Sequence, residues 1–239
     1  VFLHASEAGY LVEIKAQRWL DDGSLARLPF SSAIREVKRL APVLPVLSRR
    51  GVAVPFRTCA EMLRLDAGRD VPLWRYGLEY EMARGGLCDS AVLTKMGEIV
   101  QVLRQSIERG LAGTSNEDRL LGYQCGLFRQ HLDAGRLLDA GALNRIVLYV
   151  SALMEVKSSL GVIVAAPTAG ACAAVPGAIL GMADALGLPE DVVVHALLAG
   201  GLIGVFIASD WTFAAEVGGC QAECGAAASM AAAGLVTLA

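Results

Sequence analysis

Residues 88–110 read CDSAVLTKMGEIVQVLRQSIERG, and the spacing inside that stretch decides the class of fold. Val92, Met96, Ile99, Val100, Leu103 and Ile107 recur at intervals of three and four, which a helix gathers into one apolar stripe. Asp89 or Ser90 is placed to cap its start and Gly110 to end it. A second stripe runs through Leu143, Ile146, Val147, Val150 and Met154, with Asp139 near its start. Between the two, AGTSNEDRLLGYQCG (112–126) is polar and punctuated by glycine, which reads as a loop. A further helix fits 190–207, and another begins near Cys220.

From about residue 73 onward the pattern is helical, whereas residues 1–55 have a different texture. GYLVEIKAQRWL (9–20) alternates like a short strand, and SAIREVKRLAPVL (32–44) reads as a short helix stopped by Pro42. Gly51 and Pro55 in RRGVAVPFRT mark a turn or linker. His4, Ser31 and Ser32 read as surface polar groups. The expectation is a mostly α fold: an N-terminal α/β or linker segment over 1–55 and a helical domain over 56–239.

Composition narrows the function. A chain of 239 residues suits one large domain, or a domain with a smaller piece. Its net charge of −3, without a basic run, argues against nucleic-acid binding. Six scattered cysteines read as reduced thiols in the cytoplasm rather than a disulfide framework. The hydrophobic fraction of 54% and mean hydropathy of +0.49 owe much to alanine and glycine. VVVHALLAGGLIGVFIAS (192–209) approaches spanning length, but His195 interrupts it, Asp210 follows, and no basic flanks orient it. A buried core helix is therefore expected in place of a membrane span. The chain begins at Val1, consistent with processing or with a portion of a longer protein.

Two glycine-rich elements break the helical pattern. In AAPTAGACAAVPG (165–177), Pro167 restrains the residue before it, Thr168 offers a hydroxyl and Gly170 permits an unusual turn. A helix starting just beyond would aim free N–H groups at a carboxylate, although a tight interhelical turn without ligand explains the same residues. In AAEVGGCQAECGAAASMAAAG (214–234), Cys220 and Cys224 fall at i and i+4 on one helical face. Zinc would need about four ligands, and no histidine or Cys-x-x-Cys pair is near. Iron–sulfur ligation tolerates scattered cysteines, and buried free thiols are the alternative.

Taken together, Pro167-Thr168-Ala169-Gly170, Gly219-Cys220-Gln221-Ala222-Glu223 and Ser229-Met230-Ala231-Ala232 resemble the α chain of iron–sulfur-dependent L-serine dehydratases over about residues 73–239. The resemblance implies a lyase that converts L-serine, or a related β-hydroxy amino acid, to a 2-oxo acid and ammonia. It implies Cys220 as one of three protein ligands of a 4Fe–4S cluster, the other two belonging to a Cys-Asp-Pro-Val segment that closes on Pro-Cys. Neither is present through residue 239, so the sequence as given holds an incomplete ligand set. Thr168 and the backbone around Gly170 are implied to hold the substrate or shape the cluster pocket, and Gln221 and Glu223 to support the metal ligand. Cys224 stands where relatives carry another residue and is expected to be a buried thiol. No residue is assigned as the base. The substrate motif Ser-Ser-His-Thr belongs to a separate β domain or subunit, so a homo- or hetero-oligomer is expected.

Two stretches depart from the family pattern. DWTFAA (210–215) replaces a run of small and hydroxyl residues, and GTSNEDRLLG (113–122) replaces Gly-Leu-Thr-Gly-Gly. Trp211 and Phe213 add bulk there, so a larger hydroxy acid competes with serine as substrate. A cluster-free helical partner protein is the non-catalytic alternative.

Overall fold

The computed structural model describes residues 1–6, 9–14, 20–37, 51–116 and 119–239. These fall into two compact units, Val1–Val43 and Leu44–Ala239. In the first unit, β1 (Phe2–Ser6) pairs antiparallel with β2 (Gly9–Glu13), with Phe2 opposite Glu13 and Ser6 opposite Gly9. The alternation seen in 9–20 forms a strand over Gly9–Glu13, while 15–19 lie outside the described residues. Helix α1 (Asp22–Ala26) is a single turn capped by Asp21, whose carboxylate accepts from Ser24 N at 2.7 Å. Ser31–Ala33 makes one turn of 3-10 helix, and Ile34 then turns extended at ψ 120°. The helix expected over 32–44 therefore does not form at 34–37, while 38–44 lie outside the described residues.

The second unit is built from α2 (Cys59–Asp66), α3 (Leu73–Gly85), α4 (Asp89–Ala112), α5 (Gln124–Asp133), α6 (Ala142–Ser158), α7 (Ala174–Leu186), α8 (Glu190–Asp210) and α9 (Ala215–Leu238). The fold is mostly α, with strand confined to the hairpin among the described residues. The stripe on α4 is buried as its period requires: Val92, Val100, Leu103 and Ile107 are all 5% exposed or less. Its ends differ from expectation. Cys88 is the N-cap, Asp89 turns its carboxylate to Ser90 N, and the helix passes Gly110 to stop at Gly113. Gly110 is spent on packing instead: a methyl built there would collide with the carbonyl of Ala152 on α6.

The stripe read for α6 is displaced. Leu143 and Val147 are exposed, while Leu148, Ala152, Leu153 and Val156 are buried. Two partners cause this. Helix α4 approaches through Gly110, and α7 sets Gly177 and Gly181 against Val150 and Ile146. The polar loop of 112–126 is likewise shorter than read, because α5 already begins at Gln124.

Helix α8 crosses the centre, with ten of its residues buried, and it is long and apolar enough to cross a membrane by length and composition. The share of its apolar window buried inside protein is 56%. Gly77 of α3 meets its Leu198 carbonyl, and the Met230 carbonyl of α9 meets its Gly200; a methyl at either glycine would stand 2.7 Å or 2.8 Å from that oxygen. His195, the polar residue inside this apolar run, is stacked on Trp74 at 3.7 Å between ring centroids and 14° between planes. The pairing gives the imidazole a flat apolar neighbour, and burial lowers its pKa. Alanine and glycine thus supply close backbone approach where larger side chains would supply area.

Candidate functional site

The contacts that order the helices also gather their ends. Gly110 lies against Ala152, Gly177 against Val150, and both Gly200 and Gly204 against Met230. The C-terminal ends of α4, α6 and α8 and the N-terminal ends of α7 and α9 therefore share one end of the helical unit. Segment 159–173 and residues 211–219 both lie at that end.

There the two glycine-rich elements meet. Thr168 Oγ1 donates a hydrogen bond to Glu223 Oε1 and accepts one from Ala171 N at 3.1 Å. Gly170 lies under the same carboxylate: a methyl on it would stand 2.8 Å from Glu223 Cδ and 2.9 Å from Oε2. The Ala166–Pro167 peptide is cis, and Ala166 N donates to Thr168 O at 3.3 Å, closing the turn. Thr168 and Glu223 are half-buried, and Ala169 and Gly170 are exposed.

Part of the N–H groups expected in this turn is taken. Ala171 N is bonded to Thr168, Ala174 N to Ala171 O, and Pro176 has none to offer. The carboxylate that the turn accommodates is the protein's own Glu223.

Cys220 and Gln221 lie on the exposed side of α9, outside the Thr168–Glu223 contact. Helix α9 is broken at Gly219, whose φ of 77° and ψ of 170° interrupt the run begun at Ala215. A left-handed φ favours glycine there, so the chain restarts as helix directly at Cys220. Cys224 is exposed, not buried as expected. One helical turn places it on the same outward face as Cys220, while Ala226, Ala227, Met230 and Ala231 take the core side. Trp211 is exposed, and its ring edge would come within 3.2 Å of a methyl on Gly218.

A second polar node on α6 escaped the sequence reading. Glu155 is the one charged side chain among the buried described residues, at 8% exposure. Its Oε1 accepts from Thr114 N at 3.2 Å, from Thr114 Oγ1 at 2.5 Å, and from Arg119 Nη2. Arg119 also donates to Thr114 O at 3.0 Å. Burial alone would raise the Glu155 carboxyl, but the hydrogen bonds from Thr114 and Arg119 and the nearby positive charge outweigh it, lowering the pKa. The signal in sequence was a lone acid on an otherwise apolar helix face; its partners, in a stretch read as loop, gave none.

An exposed cysteine thiol at the start of a helical run fits a thiolate ligand of an iron–sulfur group, and Cys220 provides it. No group of three or more His, Cys, Asp or Glu side chains converges on a metal position among the described residues.

A family profile for the serine dehydratase alpha chain matches residues 61–239. The chain is 26% identical over 184 residues to the probable L-serine dehydratase alpha chain of Bacillus subtilis, covering 77% of this chain and 61% of that one. It is 26% identical over 182 residues to the L-serine dehydratase alpha chain of Peptoniphilus asaccharolyticus, covering 76% and 62%. To the L-serine dehydratase of Streptomyces coelicolor it is 32% identical over 197 residues, covering 80% and 42%. It thus spans 62% or less of the length of these relatives. The glycine turn, the broken α9 with its cysteine, and this match over three-quarters of the sequence agree: the chain belongs to the serine dehydratase alpha-chain family.

Proposed function

We propose that the chain is the α-type part of a lyase that eliminates water from L-serine or a related β-hydroxy amino acid, releasing a 2-oxo acid and ammonia. The observation that carries this is the junction of Thr168 with Glu223, which joins the two motif elements at one end of the helices beside Cys220. Cys220 would hold a 4Fe–4S cluster as one of its thiolates, and its remaining ligands would come from outside the described residues. When bound, such a cluster supplies Lewis acidity to the substrate hydroxyl, a poor leaving group at neutral pH.

The chain's own residues bind and orient. Thr168 and Gly170 border the substrate, with Glu223 held between them and α9. Gln221, next to Cys220 on the same helix, would support the ligand from its flank. Once the Cα proton and the β-hydroxyl leave, the aminoacrylate tautomerises and hydrolyses without further help. The protein would act in the cytoplasm with a β-type domain or subunit, as a homo- or hetero-oligomer.

A specific observation favours a second reading of the substrate. Trp211 is 67% exposed beside Gly218, on the segment next to α9, and its ring would crowd a small ligand or stack on a bulkier one. Full-length protein, reconstituted anaerobically with iron and sulfide, should release pyruvate from L-serine or the matching 2-oxo acid from a larger hydroxy amino acid. Cys220→Ser should lose most of its iron and its activity together. Unchanged iron and turnover in that variant would overturn the ligand role.

A further inference from the structure

The turn at 167–170 has the look of a cradle for a substrate carboxylate, yet its hydroxyl already binds one. Thr168 Oγ1 donates to Glu223 Oε1, and Gly170 leaves room for Oε2 on the same side. Among the described residues no lysine, arginine or histidine forms an ion pair with this carboxylate, whose hydrogen bond comes from the neutral Thr168 hydroxyl. A second carboxylate placed there would meet the like charge of Glu223 at short range. A substrate amino acid carries one group of the complementary sign. Resting on the lyase reading above, we propose that Glu223 is a specificity-determining residue: oriented by Thr168, it receives the substrate's α-ammonium group.

Two further features fit. Gly170 and Ala169 are exposed, so the carboxylate borders solvent and is reachable. Glu223 also lies one helical turn from Cys220, close enough for an amino acid bound by its ammonium to extend its hydroxyl toward the metal side. A purely structural latch between segment 159–173 and α9 would need only an acceptor for the Thr168 hydroxyl. Glutamine would serve that purpose; it would hold an ammonium more weakly, through a neutral acceptor without the opposing charge.

The test compares ligands with and without the amine on full-length, iron-loaded protein. Equilibrium binding of L-alanine, which has no hydroxyl to eliminate, is measured against propionate; KM for L-serine is measured alongside inhibition by 3-hydroxypropionate. Glu223→Gln is expected to weaken L-alanine and raise the L-serine KM by about tenfold or more, with 3-hydroxypropionate binding unchanged or tightened. Thr168→Val should shift the same amine-bearing ligands by a few-fold. Equal losses for both ligand classes, a Gln variant that matches wild type, or a wild type that binds L-alanine no better than propionate would each overturn the proposal. A wild type that prefers L-alanine but releases no 2-oxo acid would overturn the lyase reading and leave the ammonium site supported.

Discussion

Helices α4 and α9 are each 24 residues long, and they encode their place in the molecule in opposite ways. Helix α4 writes its orientation in side-chain size: one stripe of valine, leucine and isoleucine is buried and the other faces are polar. Helix α9 has little contrast between faces, since alanine and glycine occupy both. It is placed by what it allows its neighbours to do, with its Met230 carbonyl against Gly200 and its Gly234 against Ile179. Large apolar side chains announce a fold by periodicity. Small ones are legible only through the partner that comes close.

The strongest way to break this contrast is to remove a large side chain from α4. Leu103 is 1% exposed, and Leu103→Ala should cost about 2–5 kcal/mol, read as the shift in a urea unfolding midpoint. A cost near zero would mean that α4 is not held by its stripe. The counterpart for α9 adds volume: Gly200→Ala places a methyl 2.8 Å from the Met230 carbonyl and should cost about 1–3 kcal/mol in the same assay. A stabilised variant would show that the α8–α9 approach is looser than its backbone separation.

A subtler effect distinguishes the two helix ends by pH. The Glu155 carboxyl, which ties Thr114 and Arg119 beyond the end of α4, is held in the folded state below the ordinary glutamate value of 4.5. The unfolded chain therefore takes up the proton first, so this contribution is fully present above about pH 4.5 and is lost as pH falls below it. Thermal unfolding of wild type should lose stability across that acid range, and Glu155→Gln should show a flatter acid limb with lower stability at neutral pH. An identical acid limb in the two proteins would contradict the assignment. Smallest of all, Ala228→Ser on the outward face of α9 should stay within about 0.5 kcal/mol of wild type. A large change there would reveal a hidden partner for that face.

The same contrast explains what could be read before the structure. The α4 helix, the apolar run of α8 and the mostly α class followed from period and length, because burial of large side chains dominates their energetics. The α6 stripe was misplaced by one face, since Gly177, Gly181 and Gly110 admit helices on two sides and a one-stripe reading assumes one. Short α2 and α5 went unread because their eight and ten residues span too few turns to establish a period. At the site, the resemblance picked out Thr168, Gly170, Cys220, Gln221 and Glu223, but not that Glu223 fills the turn beneath Thr168. That fact depends on a contact between residues 55 apart, which spacing along the chain does not reveal. Cys224 was misjudged for a related reason: burial of a thiol on a helix of alanines depends on which face finds a neighbour.

The stack of Trp74 on His195 has an experimental consequence of its own. An imidazolium in van der Waals contact with an indole quenches its emission, whereas neutral imidazole does so far less. Trp74 is therefore a built-in optical gauge of the contact between α3 and α8. Burial lowers the pKa of the imidazole below the ordinary histidine value of 6.5, so the dimming should come at more acidic pH than for a free histidine. With Trp19 and Trp211 replaced by phenylalanine, the remaining signal would follow that helix pair alone, in real time and without an added label.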